Sequence, residues 1–260
     1  MKYVESSWPI LERKIGLRKV KFLILDFDGT LATIAKTPQA VVLKRKTKEI
    51  LAFLSQSPSY KLAIVSGRPL KSLLAYFDLK NVLYVGNHGL EMKGKGLLLP
   101  EKARKARRLE ALIWLLGKKL KEDLAKVPGI LIEDKNYTLS VHYRNIHREY
   151  LPFFNQEINI FRKQYEHWPL QWKEGKKVWE VRPAMQWGKG EAVLYLAKKF
   201  PGALPIVIGD DITDEDMFRV LKSKGITIRV GWSKKSSAEY YLASQREVRN
   251  FLDRLCQEAG

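Results

Sequence analysis

Cysteine is nearly missing from this chain: Cys256 is the single one in 260 residues, which excludes an internal disulfide and a cysteine-based metal centre. Long apolar runs are missing too. The longest, such as Phe22–Leu25 and Leu112–Leu116, fall far short of the roughly 18 residues of a membrane span. The amino-terminal MKYVESSWPILERKIGLRKV has no apolar stretch of the secretory-signal kind. These absences lead us to expect a soluble, cytoplasmic protein with no membrane partner. There is no internal repeat and no low-complexity tract, and an aromatic content of 11% is too high for a disordered chain. Acidic side chains are the scarcer charge, 28 against 47 Lys+Arg, a net charge of +19. Such a surplus is a common footprint of nucleic-acid binding. Here it is spread out, and its densest clusters, Lys44–Lys48 and Lys102–Arg108, lie within expected helices. A solvated surface accounts for them, and neither a nucleic-acid partner nor an obligate protein partner is expected.

The apolar pattern then organises the chain. Lys21–Leu25, Leu62–Val65 and Val82–Val85 are short continuous apolar runs, each closed by a polar or glycine-rich segment. Such runs suit strands buried on both faces of a parallel sheet. A helix is predicted over Gln39–Leu54, with Val42, Ile50, Leu51 and Leu54 at helical spacing, and another runs from Pro69 to Tyr76. Near Leu99-Pro100 the pattern changes to one long amphipathic helix, about Glu101 to Lys126, with Leu109, Leu112, Ile113, Leu116, Leu120 and Leu124 on its stripe. Strands at Ile130–Glu133 and Thr138–Tyr143, a helix over Arg148–Tyr165, and strands at Leu170–Lys173 and Val178–Val181 follow. This αββαββ block reads as an α+β insertion with an antiparallel sheet. A helix from Trp187 to Phe200, a strand at Leu204–Ile208, a helix at Met217–Lys222, a strand at Thr227–Val230 and a helix from Ser244 restore the first pattern. The expected fold class is α/β, a Rossmann-like parallel-sheet core formed by 1–100 with 182–260, carrying an inserted domain at 101–181. No role is read for Met1–Val20.

Polar residues gather where the expected strands end, which is where ligands sit in open α/β sheets. Asp26-Phe27-Asp28-Gly29-Thr30 follows the first strand. Side chains two apart on an extended segment point the same way, so Asp26 and Asp28 are expected to share a site. Neighbouring carboxylates push their proton affinities apart, which lets one act as nucleophile or metal ligand and the other carry a proton. An ordinary Asp-Gly turn is the alternative. Gly209-Asp210-Asp211-Ile-Thr-Asp214-Glu215-Asp216 places five acids in seven positions. Such a cluster calls for a hard cation of the Mg²⁺ type. Helix capping accounts for Glu215 or Asp216 but is not expected to account for Asp210 and Asp211. Ser66 can donate to a phosphoryl oxygen, and Lys189 can supply a positive charge.

DFDGTL (26–31), VSGR (65–68), WGKG (187–190) and GDDITDEDMF (209–218), in this order, resemble the four signature segments of the haloacid dehalogenase superfamily. Within that superfamily GNHGLE (86–91), IEDKNYTLSVHYR (132–144) and VWEVRP (178–183) are similar to the trehalose-6-phosphate phosphatase family, and the resemblance spans about residues 21–255. It implies a haloacid dehalogenase core with a cap domain, and a Mg²⁺-dependent phosphatase that converts trehalose 6-phosphate to trehalose, the last step of trehalose biosynthesis. Under it Asp26 is the nucleophile, forming an aspartyl-phosphate, and Asp28 the general acid and base. Asp26, the Asp28 carbonyl and Asp210 are the metal ligands, and Asp211 and Asp214 orient the metal's waters and Lys189. Ser66 and Lys189 hold the phosphoryl oxygens. It also implies sugar contacts from Glu133, Lys135 and Glu180, with Arg68, Asn87, His88, His142 and Arg144 as further substrate or latch residues. Other capped sugar-phosphate phosphatases, acting on sucrose phosphate, a glycosylglycerate phosphate or a monosaccharide phosphate, fit the same core.

Overall fold

A computed structural model of the chain describes residues 1–35, 37–77 and 79–257. The elements run β1 (Lys2–Tyr3), α1 (Trp8–Gly16), β2 (Lys21–Asp26), α2 (Arg45–Gln56), β3 (Tyr60–Val65), α3 (Leu70–Leu74), β4 (Val82–Gly86) and β5 (Glu91–Lys93). They continue with α4 (Glu101–Arg107), α5 (Glu110–Asp123), β6 (Leu131–Asp134), β7 (Leu139–His142), α6 (Leu151–Gln164), β8 (Leu170–Gly175) and β9 (Val178–Pro183). The chain ends with α7 (Lys189–Ala197), β10 (Leu204–Gly209), α8 (Glu215–Leu221), β11 (Ile226–Val230), β12 (Tyr240–Leu242) and α9 (Gln245–Gln257). They form two compact units, Met1–Leu98 with Trp187–Gly260, and Leu99–Gln186. No helix among the described residues is long and apolar enough to cross a membrane.

The first unit is built on a sheet of order β1-β12-β11-β10-β2-β3-β4-β5. All neighbours are parallel except β4 with β5. The continuous apolar run of β2 follows from its place. Leu23 and Leu25 pack with Leu11 and Ile15 of α1, Leu51 and Leu54 of α2 and Phe251 of α9. Phe22 and Ile24 pack on the other face with Val193 and Leu196 of α7 and Phe218 of α8. Helices thus cover both faces, and every β2 residue is buried.

The second unit has an antiparallel sheet of order β6-β7-β9-β8. Leu139, Val141 and Val181 face α5 and α6, where they meet Ile113, Leu116, Phe154 and Ile158. The alternate positions, Ser140, His142 and Glu180, lie on the opposite face.

Several elements differ from their sequence reading. The expected helix over Gln39–Leu54 begins only at Arg45. Val41 and Leu43 are buried while Val42 between them is 68% exposed, a period-two pattern that marks extended chain. The expected single helix over 101–126 is two, broken at Arg108-Leu109, where both amides bond to carbonyls three residues back. Next to the break Arg107 bonds the Tyr137 hydroxyl and its guanidinium lies over that ring, a tertiary contact that helical periodicity does not encode. Met1–Val20 joins the fold through β1, paired parallel to β12, and α1.

Candidate active site

The parallel strands of the first unit deliver the chemistry-bearing residues at their carboxyl ends. Asp26 ends β2, Asp210 follows β10, and Ser66 follows β3. Because β2 lies between β10 and β3, the three meet at the middle of the sheet edge. Carboxylate oxygens of Asp26, Asp210 and Asp214 lie within 4.8 Å of one another, and all three residues are buried. Lys189, the first residue of α7, is also buried, and its Nζ donates to Asp26 Oδ1 at 2.6 Å and Asp214 Oδ1 at 2.8 Å.

The charges explain how each group titrates. Burial first, and then the nearby Asp214 carboxylate, push the Asp26 carboxyl well above its ordinary value, with Lys189 pulling the other way. For Lys189, burial alone would lower the ammonium, but Asp214 and then Asp26 reverse that and hold it charged. Buried carboxylates gathered this closely repel one another, a cost that a cation among them offsets. The second oxygen of Asp214 accepts the backbone amides of Asp210 and Asp211 at 2.9 and 3.0 Å. With both Asp214 oxygens committed to N–H donors, Asp26 and Asp210 are the carboxylates best placed for a cation. All-oxygen donors of this kind fit Mg²⁺. Gly29 makes the close approach possible. Its φ is +88°, and a Cβ there would stand 2.3 Å from Asp210 Oδ2, so no other residue fits without displacing the carboxylate.

Asp28 has a basic partner of its own. The chain has left the strand by then, turning so that Leu31 and Ala32 amides bond the Phe27 carbonyl. Asp28 takes a bidentate pair from Arg68, Nε to Oδ2 and Nη2 to Oδ1, each 2.7 Å. Arg68 is fixed in turn by the Pro38 carbonyl at 2.9 Å and by the Phe27 and Tyr76 rings. The two aspartates therefore have separate counter-cations. Ser66 is buried, and its Oγ accepts the Arg68 amide at 3.1 Å, which leaves the O–H as a donor.

Five further positions have partners of their own. Asp211 is a cap after all: its Oδ1 accepts the Ile212 amide at 2.7 Å, and with Asp214 it forms a reciprocal capping box for the short turn at Ile212–Asp214. Glu215 pairs with Arg229 at 2.8 Å and accepts the Ser237 amide, while Asp216 pairs with Arg219 on the surface. Asn87 has no exposed surface and His88 is 5% exposed. Both sit in the left-handed region, φ 51° and 55°, at a cost of about 1–3 kcal/mol each. The Asn87 amide bonds the Arg68 carbonyl at 2.6 Å, and the His88 amide the Ser66 carbonyl at 3.0 Å. The structure thus gives Asn87 no surface with which to touch a sugar. Its backbone and that of His88 brace the Ser66–Arg68 loop instead.

In the second unit, cross-strand register sets Glu133 opposite Ser140 and Ser140 opposite Glu180, so the two glutamates share the face away from the helices. Buried Lys135, in the β6–β7 turn, reaches both, at 3.8 Å to Glu133 and 3.9 Å to Glu180. His142 Nε2 is 3.1 Å from Glu133 Oε2. Arg182, which sequence reasoning missed, pairs with Glu180. The spacing Glu180-x-Arg182 is the signal, because alternate strand residues share a face. Arg144 does not join this group. It is exposed and donates to the Lys176 carbonyl at 2.8 Å.

Comparison with known proteins adds to this geometry. A family model described as Trehalose-phosphatase matches residues 24–246. Trehalose 6-phosphate phosphatase RA3 of Zea mays is 31% identical, covering 97% of this chain and 73% of its own. A probable trehalose-phosphate phosphatase H of Arabidopsis thaliana is 32% identical over 97% of this chain and 77% of its own. Among solved structures, the C-terminal domain of the C. albicans trehalose-6-phosphate phosphatase superposes with a TM-score of 0.80 at 27% identity, covering 96% of each chain. A haloacid dehalogenase-like hydrolase from B. subtilis, at 15% identity and a TM-score of 0.56 over 91% of this chain and 100% of its own, shares the fold.

Proposed function

The chain belongs to the trehalose-phosphatase family, a family of phosphoric monoester hydrolases, and from that premise we propose that it hydrolyses trehalose 6-phosphate to trehalose and phosphate with Asp26 as nucleophile. The observation that carries this reading is the buried Asp26–Lys189–Asp214 array beside Asp210 at the carboxyl end of the central strands.

In the proposed reaction Lys189 keeps the Asp26 oxygen fixed, and Ser66 donates to a phosphoryl oxygen. Asp26 attacks phosphorus while the bond to the sugar oxygen breaks, and Asp28 gives that oxygen its proton. Asp28 then takes a proton from water, which attacks the aspartyl-phosphate and frees Asp26. Asp26, Asp210 and the Asp28 carbonyl are the groups that would hold Mg²⁺. When bound, the ion supplies positive charge against the phosphoryl oxygens. Glu133, Lys135 and Glu180 are proposed to recognise sugar hydroxyls, since carboxylates accept and ammonium groups donate several hydrogen bonds each. The domain division proposed is a core of 1–100 with 182–260 and an inserted sugar-recognising domain at 101–181.

Phosphate release from trehalose 6-phosphate, sucrose 6-phosphate, glucosylglycerate phosphate and glucose 6-phosphate tests the substrate. The expected result is the highest kcat/KM for trehalose 6-phosphate. A higher value for any of the others overturns the substrate while leaving the phosphatase chemistry standing.

A further inference from the structure

We propose that Glu91 is a positioning residue for the phosphoryl-handling edge of the site, acting through the Ser66–Leu70 loop. The proposal rests on the phosphatase reading above. It starts from a helix end. Leu70 opens α3, and the residue before it, Pro69, offers no side-chain cap, so the Leu70 amide needs an acceptor from elsewhere. Glu91 Oε2 is that acceptor, at 2.9 Å. The same oxygen accepts Asn87 Nδ2 at 3.2 Å. One carboxylate oxygen therefore ties the far end of the Ser66–Leu70 loop to the left-handed turn at Asn87-His88.

That turn is the other half of the clamp. The Asn87 and His88 amides hold the carbonyls of Arg68 and Ser66. Arg68 in turn occupies both oxygens of Asp28, and Ser66 carries the hydroxyl assigned to a phosphoryl oxygen. The two loops are also in steric contact: a Cβ at Gly86 would lie 2.6 Å from the Leu70 nitrogen. Glu91 itself begins β5 and is paired with Gly86 across the antiparallel edge. It touches none of the reacting groups. Its effect runs through Leu70 and Asn87 to Ser66, Arg68 and Asp28, so its loss affects phosphoryl transfer and not sugar choice.

The test is steady-state kinetics of Glu91→Ala and Glu91→Gln on trehalose 6-phosphate and on p-nitrophenyl phosphate, with thermal melts of each variant. Glu91→Ala is expected to lower kcat on both substrates by the same factor, on the order of tenfold to a hundredfold, the scale of a displaced catalytic group. Glu91→Gln keeps an acceptor oxygen and is expected to restore most of that loss. Gly86→Ala, which pushes on the same loop from the other side, is expected to lower kcat in parallel. Retention of kcat within about threefold in Glu91→Ala overturns the proposal, as does a loss on trehalose 6-phosphate alone, or a loss that Glu91→Gln shares in proportion to a lowered melting temperature. If wild type hydrolyses p-nitrophenyl phosphate but not trehalose 6-phosphate, the substrate reading fails, and the Glu91 comparison is still decided on the aryl phosphate.

Discussion

Arg68 grips both carboxylate oxygens of Asp28 at 2.7 Å each. This two-point contact fixes the orientation of the side chain proposed to serve the sugar oxygen. Arg68→Lys is expected to lose about tenfold or more in kcat, because an ammonium cannot reproduce the planar two-point contact. Phosphate-release assays on trehalose 6-phosphate check this, and equal kcat in the two proteins would refute it.

Asp26→Asn is expected to abolish phosphate release and yet raise thermal stability. The folded-state proton affinity of Asp26 is raised, so its contribution is favourable below the unfolded carboxyl pKa and is lost as pH rises through the folded value. Melts in EDTA should show the variant above wild type at pH 8 and the gap narrowing toward pH 5. A variant less stable than wild type at pH 8 would show that Lys189 depends on Asp26 more than the carboxylates repel it.

Metal removal addresses the same cluster. Millimolar Mg²⁺ should raise the wild-type melting temperature, since a ligand bound to the native state alone stabilises it, and EDTA should remove activity. Asp210→Asn should lose the melting shift. Persistence of the full shift in that variant would move the cation away from Asp210.

Glu180→Ala and Arg182→Ala should act alike, given their ion pair. Each is expected to lower kcat/KM for trehalose 6-phosphate by roughly tenfold to a hundredfold, the scale of a hydrogen bond to a charged group. The value for p-nitrophenyl phosphate should hardly move. Equal losses on both substrates would remove these residues from sugar recognition.

Cys256 on α9 offers a separate probe. Burial first, and then Asp253, push its thiol up to about 11, so the reactive thiolate is scarce at neutral pH. Alkylation by iodoacetamide at pH 8 should be slow in the folded protein and fast in urea. Rapid folded-state labelling would contradict this environment.

Much of the architecture was legible in the residues. Phe22–Leu25 reads as a doubly buried strand because helices pack on both its faces, and that leaves no polar position between Lys21 and Asp26. The acids of 209–216 and the DFDGT segment mark strand ends because the chain there turns out of the apolar layer. Glu180-x-Arg182 was readable as a same-face pair by strand periodicity. What escaped was short or held by partners distant in sequence. β5 and β12 are three residues each, too brief for any period to register. The 101–126 helix breaks where Arg107 meets Tyr137, thirty residues on.

The sequence by itself determined the alternation of strand and helix, the inserted antiparallel unit and the identity of the acidic and basic groups, since these follow from local periodicity and residue chemistry. Tertiary structure alone decided which charge meets which. Asp26 and Asp28 are two residues apart, yet one faces Lys189 and the other Arg68. Asp211 became a turn cap while its neighbour Asp210 joined the buried carboxylates. Partner choice depends on distance and burial at the meeting point of β2, β3 and β10, and a linear chain specifies that point only once the sheet has assembled.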